Sequence, residues 1–257
     1  MPAHPLGCPS QDMKKGAAKL GLTLFPNALA IPNRPYNGRP ACIYCRGCGN
    51  GCVVGDKGSV DVVMVEPAET TGKLVVKSGA RVLYLKVNKE GRVDSVVWKG
   101  KKDIEKAYGK SFVVSCGAIE TPRLLLNSKS SLFPRGLANT NGFVGSYLMT
   151  HLAVVLVVFF DRHMKSYQGL PIDSRIWNFS APKEMKEQGG GTARMGTSSK
   201  NSVVDSFGRS HDVKNLFIAD ASVFVTESCG DSPSLTVIAL ALRIAEHIAS
   251  EMKKGNV

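Results

Sequence analysis

The sequence predicts an α/β chain with α+β elements, and three stretches carry that prediction. The first is NLFIADASVFVTESCGDSPSLTVIALALRIAEHIAS at 215–250, where the short apolar run Leu216, Phe217, Ile218 ends at Asp220, as a buried strand of a parallel sheet does. The second is SFVVSCGAIETPRLLLNS at 111–128, again an apolar strand, a glycine and a helix. The third is a β-branched, aromatic-rich region over 74–99 that reads as a small antiparallel meander.

In the first stretch Ser232 is expected as the N-cap and Pro233 at the first helical position, where a missing N–H costs nothing. Leu235, Ile238, Leu242, Ala245 and Ile248 recur at helical spacing and predict the core face, opposite Arg243, Glu246 and Glu251; Gly255 can end the run. In the second stretch Phe112 to Ser115 predict the strand. Pro122 sits early in a helix that Leu124, Leu125 and Leu126 pack down, and such a helix start suits an anion.

Residues 1–59 are rich in Pro, Gly and Asn and read mostly as loop, with one amphipathic piece near Asp12–Leu20. A helix is expected over Ser59–Thr71, ending at Gly72. LVVK at 74–77, VLYLKV at 82–87 and VDSVVWK at 93–99 are expected strands, with NKEG at 88–91 as a hairpin turn. LAVVLVVFF at 152–160 reads as a buried strand and IDSRIWNFSAP at 172–182 as the start of another.

With 43% hydrophobic residues in 257, the chain has ample material for a core. Its net charge of +12 comes from scattered lysines and arginines without interleaved aromatics, which argues for a solvated basic surface and against nucleic acid. The first residues contain no apolar signal region, and 152–160 is too short to span a bilayer, so the expectation is a cytoplasmic protein without a membrane span.

Cys42, Cys45, Cys48 and Cys52 form C-x2-C-x2-C-x3-C, a spacing that serves iron–sulfur ligation and equally four-thiolate zinc; Val53 stands where a proline usually follows. Cys8, Cys116 and Cys229 read as isolated thiols, so no disulfide framework is expected. His151 and His211 read as hydrogen-bonded structural histidines, His163 as a surface residue and His247 as part of the polar face of the long helix.

The 215–250 stretch, with GGGTARMG at 189–196 and SVVDSFGRSHDVKNLF before it, resembles the C-terminal block of the glucose–methanol–choline (GMC) oxidoreductases. SFVVSCGAIETPRLLLNS resembles that family's second signature, and GFVGSYLMTH at 142–151 the segment that follows it. The Cys-rich loop with GDKGS resembles a stretch of the family's sugar-oxidising bacterial branch that does not imply a metal, although some relatives carry an iron–sulfur cluster beside the flavin. The resemblance implies a partial FAD-binding Rossmann-like domain plus a remnant of a substrate-binding sheet domain. It assigns 1–141 to the middle of the FAD domain, 142–187 to a truncated substrate domain and 188–257 to the returning C-terminal block.

It also implies FAD contacts from Val82, Gly117, Ala118, Thr121, Asp220, Ala221, Pro233, Ser234, Leu235 and Thr236. The implied chemistry is hydride transfer from a CH–OH carbon of an alcohol or sugar to the flavin, with a base taking the hydroxyl proton. The family's base position, usually histidine, is Gln188 here, and the second catalytic position, usually His or Asn, is Ser232. The family opens with a βαβ unit carrying Gly-x-Gly-x-x-Gly, and no such motif precedes Cys42. Two readings follow: an FAD-dependent oxidoreductase of CH–OH donors represented here by a shortened chain, or a truncated non-catalytic fragment or half of a split enzyme, whose partner would be a chain supplying the missing βαβ unit.

Overall fold

The computed structural model describes residues 1–150, 155–176, 178, 191–225 and 233–257. They form two compact units, Met1–Lys77 with Val155–Ala181, and Ser78–Val154 with Pro182–Val257. This division does not follow the boundaries expected at 141/142 and 187/188. The cause is strand pairing: β1 (Leu24–Pro26) pairs antiparallel with β6 (Ser174–Ile176) and draws that later segment to the N-terminal loops.

In the first unit α1 spans Cys8–Lys19, longer than the piece expected near Asp12–Leu20. Asp173 holds its start, accepting hydrogen bonds from the Gly7 N–H and the Ser10 hydroxyl. Ala17, Leu24, Ile31 and Leu170 are buried here, and loops make up most of the rest. The expected helix before Gly72 is present as a wide π-helical turn, Asp61–Val65, running into α2 (Glu66–Glu69). Pro67 has no N–H to donate to Val63, which accounts for the widened turn.

Two apolar runs depart from expectation. Leu74–Lys77 forms no strand and is largely exposed. Of the strand expected at 152–160, the described part, 155–160, has no strand partner among the described residues, and its six apolar side chains are exposed. Leu152 to Val154 lie outside the described residues.

The second unit holds a three-stranded meander, β2 (Arg81–Val87), β3 (Val93–Lys99) and β4 (Ile104–Tyr108), in the order β2-β3-β4. The turn at 88–91 is as expected, with Asn88 and Arg92 paired and Gly91 at φ 75°. β4 reads IEKAY and was not expected. It is an exposed edge strand, so its charges discourage further pairing and it carries no apolar pattern to read.

β5 (Phe112–Val114) and β7 (Leu216–Ile218) pair in parallel, with Phe112 opposite Leu216 and Val114 opposite Ile218. All three β7 side chains are fully buried. Each strand leads to a helix, β5 to α3 (Gly117–Asn127) and β7, further on, to α4 (Ser234–Lys253). Leu124 and Leu125 bury α3 as expected, and Ser128 closes it, accepting from the Leu85 N–H and donating to the Leu124 carbonyl.

α4 begins one residue later than expected, with Pro233 preceding its first turn. Its buried side is also rotated. Ile244 is its buried residue, flanked by the half-buried Val237, Leu240, Ala241 and His247 and by Ile238 and Ile248 of the expected face, whereas Leu235, Leu242 and Ala245 are exposed. α4 is apolar over two faces, and the spacing alone could not say which one packs. His247, expected on the polar face, stacks on Phe207 at 4.2 Å and meets Phe217 edge-on. Among the described residues no helix is long and apolar enough to cross a membrane.

Gly208 allows α4 to pack. Its φ is +68°, and a Cβ there would sit 2.5 Å from the Ile218 carbonyl oxygen and 2.7 Å from Ile244 Cδ1. Gly208→Ala is therefore expected to destabilise the unit by roughly 2–4 kcal/mol, from the left-handed backbone and the clash together. Gly79→Ala has a similar φ of +69° but open space around the new Cβ, and should cost only the backbone part. Urea unfolding followed through the buried Trp98 checks both; equal losses would mean that packing at Gly208 contributes nothing.

Candidate functional site

The carboxyl ends of two adjacent parallel strands are where an open α/β sheet usually binds its ligand. Here those ends are joined by one side chain. Asp220, buried just beyond β7, accepts at Oδ2 from the Gly117 N–H at 3.0 Å and from Thr121 Oγ1 at 2.6 Å. Its Oδ1 accepts from the Ser222 N–H at 2.8 Å. Thr121, itself fully buried, accepts in turn from the Cys116 N–H. The β5-to-α3 corner and the β7 corner are thus one hydrogen-bonded body, and Gly117, Thr121, Asp220 and Ala221 meet there.

Pro122 adds a second tie. A proline inside α3 cannot donate to the carbonyl four residues back, which belongs to Ala118. Thr192 Oγ1 donates to that carbonyl at 2.6 Å. The Gly191–Gly196 segment then runs along the β7 corner, with the Ala193 N–H on the Ser222 carbonyl and the Met195 N–H on the Val223 carbonyl. Gly191 is obligatory, because a Cβ would lie 2.2 Å from the Ser222 oxygen. Gly145 N–H donates to the Thr192 carbonyl and brings in the 142–149 segment.

Ala118, Leu148, Met149, Gly191, Thr192, Ala221 and Phe224 enclose a cavity of about 70 Å³. That is too small for a ring system, so these residues form the floor of a site and not the whole of it. Thr192 and Gly191 are site residues that the reading of individual positions missed. The signal was available: a proline at the sixth position of a helix leaves an orphan carbonyl that needs a donor.

The other expected contacts are spread along the unit. Val82 lies on β2, next to Trp98 of β3 and beside a register shift. Pro233, Ser234, Leu235 and Thr236 form the beginning of α4, which is largely exposed, has no side-chain cap and carries no acid in its first turn. Among the described residues Val82 makes no hydrogen bond to the Asp220 cluster. Gln188, Ser232, His151 and Cys229 lie outside them. His211 bonds Ser202 Oγ at 2.9 Å, a structural role as expected, and His163 is exposed.

The thiols of Cys42, Cys45, Cys48 and Cys52, whose spacing is compatible with a metal, are not gathered to hold one. Among the described residues no three or more His, Cys, Asp or Glu side chains are arranged to hold a metal ion. Tyr44 and Arg46 both take left-handed backbone, at φ 55° and 59°, and Cys45 between them is exposed. Cys52 donates its thiol to the buried Asp56 at 2.6 Å. Burial, with Asp56 as a further contributor, pushes the Cys42 thiol up to about 11, so it is a neutral thiol near pH 7.

The Thr192–Pro122 compensation makes a test. Thr192→Val should cost about 1–3 kcal/mol by leaving the Ala118 carbonyl without its donor. In a Pro122→Ala background, where position 122 regains its N–H, the same change should cost clearly less. A double-mutant cycle in urea that shows no coupling would remove this account of Thr192.

Comparison with known proteins agrees with this architecture. The N-terminal GMC oxidoreductase family model matches residues 5–153, and the C-terminal GMC oxidoreductase model matches residues 175–241. Paromamine 6'-oxidase of Streptomyces fradiae is 31% identical over 155 residues, covering 59% of this chain and 29% of that protein. The fructose dehydrogenase large subunit of Gluconobacter japonicus is 29% identical over 152 residues, covering 59% and 28%. The chain thus spans less than a third of the length of these relatives. The crystal structure of pyridoxine 4-oxidase from Mesorbium loti shares the fold, with a TM-score of 0.61 at 15% identity over 95% of this chain and 71% of that one. The chain belongs to the GMC oxidoreductases.

Proposed function

We propose that this chain supplies the flavin-facing floor of an FAD-dependent oxidoreductase acting on CH–OH groups of alcohols or sugars. The observation that carries the reading is the Asp220 cluster, which fixes small residues at the carboxyl ends of two parallel strands. Gly117 has open space about it, and Ala118, Gly191 and Ala221 present little bulk, so the floor admits a flat ring. These residues fit FAD at its ring end. When bound, FAD would supply the hydride acceptor. Two of the similar proteins are named for action on paromamine and on fructose, which favours a hydroxyl-rich small molecule.

The pyrophosphate of FAD is assigned to a Gly-x-Gly-x-x-Gly unit outside these 257 residues, on the same polypeptide or on a second one. The 257-residue chain purified alone should therefore retain no FAD, whereas adding a segment with that unit should give about one flavin per complex. A yellow protein with stoichiometric flavin from this chain alone would defeat the assignment.

By the family pattern Gln188 holds the position of the base, and an amide accepts no proton near neutral pH. Alcohol oxidation by a reconstituted complex should be slow, since a positioned base contributes about 10²–10⁴-fold, or roughly 3–5 kcal/mol of barrier. Gln188→His should accelerate anaerobic flavin reduction by a sugar. The gain should be present above a histidine pKa of about 6.5 and lost below it, because only neutral imidazole accepts the proton. Ser232→Asn, which restores a hydrogen bond and no base, should help less. Equal rates in the unmodified and Gln188→His complexes would move the base elsewhere, with His151 and His211 the first to replace.

A further inference from the structure

The N-terminal loops enclose a cleft of about 600 Å³, within the size range of small-molecule sites. Pro26, Ala28, Leu29, Ile31 and Val63 give it apolar walls, and residues 1–4 close one side. That strap is pinned twice. Asn33 Nδ2 donates to the Pro2 carbonyl at 2.7 Å, and the buried His4 bonds the Ile31 carbonyl through Nε2 and the Tyr44 hydroxyl through Nδ1.

Into this cleft one tight hairpin delivers both Tyr36 and Arg39. Their backbones pair at 3.0 Å in each direction, and Asn37 and Gly38 between them take φ of 48° and 74°, the geometry of a two-residue type I′ turn. Directly opposed residues project to the same side, so phenol and guanidinium line the cleft together. Gly58 leaves the room: a Cβ there would lie 2.9 Å from the Ala30 oxygen and 3.2 Å from Arg39 Nη1.

The guanidinium is only partly used. Nη1 donates to the backbone carbonyl of Asp56 at 2.9 Å, a neutral acceptor, while the Asp56 carboxylate is engaged by Cys52. Among the described residues no carboxylate pairs with Arg39, and its Nε–Nη2 edge makes no hydrogen bond. This is the edge whose two parallel N–H groups match a carboxylate, and the charge cannot be shed by deprotonation. A half-buried cation in an apolar-walled cleft, on a chain of net charge +12, is an attractor for an anion with an apolar body.

We propose that this cleft binds a small carboxylate of that kind, its carboxylate on the Nε–Nη2 edge of Arg39 and its hydrocarbon against Leu29, Ile31 and Val63. The test is calorimetric titration of the full chain with hexanoate, with hexanol of the same length, and with inorganic phosphate. Hexanoate should bind saturably and at least about tenfold more tightly than hexanol, with phosphate weaker than either. Arg39→Met should erase the difference between hexanoate and hexanol. Val63→Phe, which fills the cleft from its rim and keeps Arg39, should weaken hexanoate about tenfold with the circular dichroism spectrum unchanged. The proposal is overturned by hexanol binding as well as hexanoate, by phosphate binding as well as hexanoate, by full hexanoate affinity in Val63→Phe, or by no saturation up to about 5 mM.

Discussion

A single buried carboxylate decides how the second unit can be used. Asp220 and Gly117 are 103 residues apart, yet the carboxylate joins the ends of β5 and β7 through two hydrogen bonds, and a third, from the Ser222 N–H, holds it in its own corner. A two-stranded parallel sheet of three residues per strand has little cohesion of its own. Full burial of Leu216, Phe217 and Ile218 contributes about 1.5–3 kcal/mol for each side chain, but burial is non-directional. The hydrogen bonds of Asp220 add direction. They fix where α3 begins relative to the β7 corner, and so where the small residues lie.

The Gly191–Gly196 segment depends on the same corner. Its backbone follows Ser222 and Val223, and Thr192 reaches the one carbonyl of α3 that Pro122 has freed. A helix-interior proline, costly by itself, thus becomes the point where a third stretch of chain is attached. Removing the proline would free Thr192, and removing Thr192 would strand a carbonyl. Neither residue is explained without the other.

The legible parts of the sequence were those where pattern and packing coincide. LFI before Asp220 and FVV before Gly117 are short, apolar and closed by a turn residue, and both are strands. Other stretches were misleading because pattern precedes partner. LVVK at 74–77 and VLVVFF at 155–160 have the side chains of strands without a paired edge, while IEKAY has a partner and no pattern. The buried stripe of α4 was ambiguous because apolar residues lie on two faces, and only Gly208 opposite Ile244 selects one. The cysteine spacing left a metal open, and a C-x2-C count does not carry the backbone around Cys45, where Tyr44 and Arg46 are both left-handed.

Electrostatics separates the two helix beginnings, which look alike in sequence. At α3 the partial positive charge is already answered. Asp220 takes the Gly117 N–H, and Glu120 adds an acid in the first turn, although Arg123 pairs with it on the surface. At α4 there is no acid in the first turn and no side-chain cap. An anion placed at α3 would meet a carboxylate, whereas one placed at α4 would meet a helix end whose charge is not offset by its own first turn. In the proposed function the start of α4 would offer its partial positive charge to an anionic flavin, while Asp220 and Thr121 at the start of α3 would hold the floor in place. The start of α3, expected to suit an anion, already holds one of the chain's own, the Asp220 carboxylate that builds the corner.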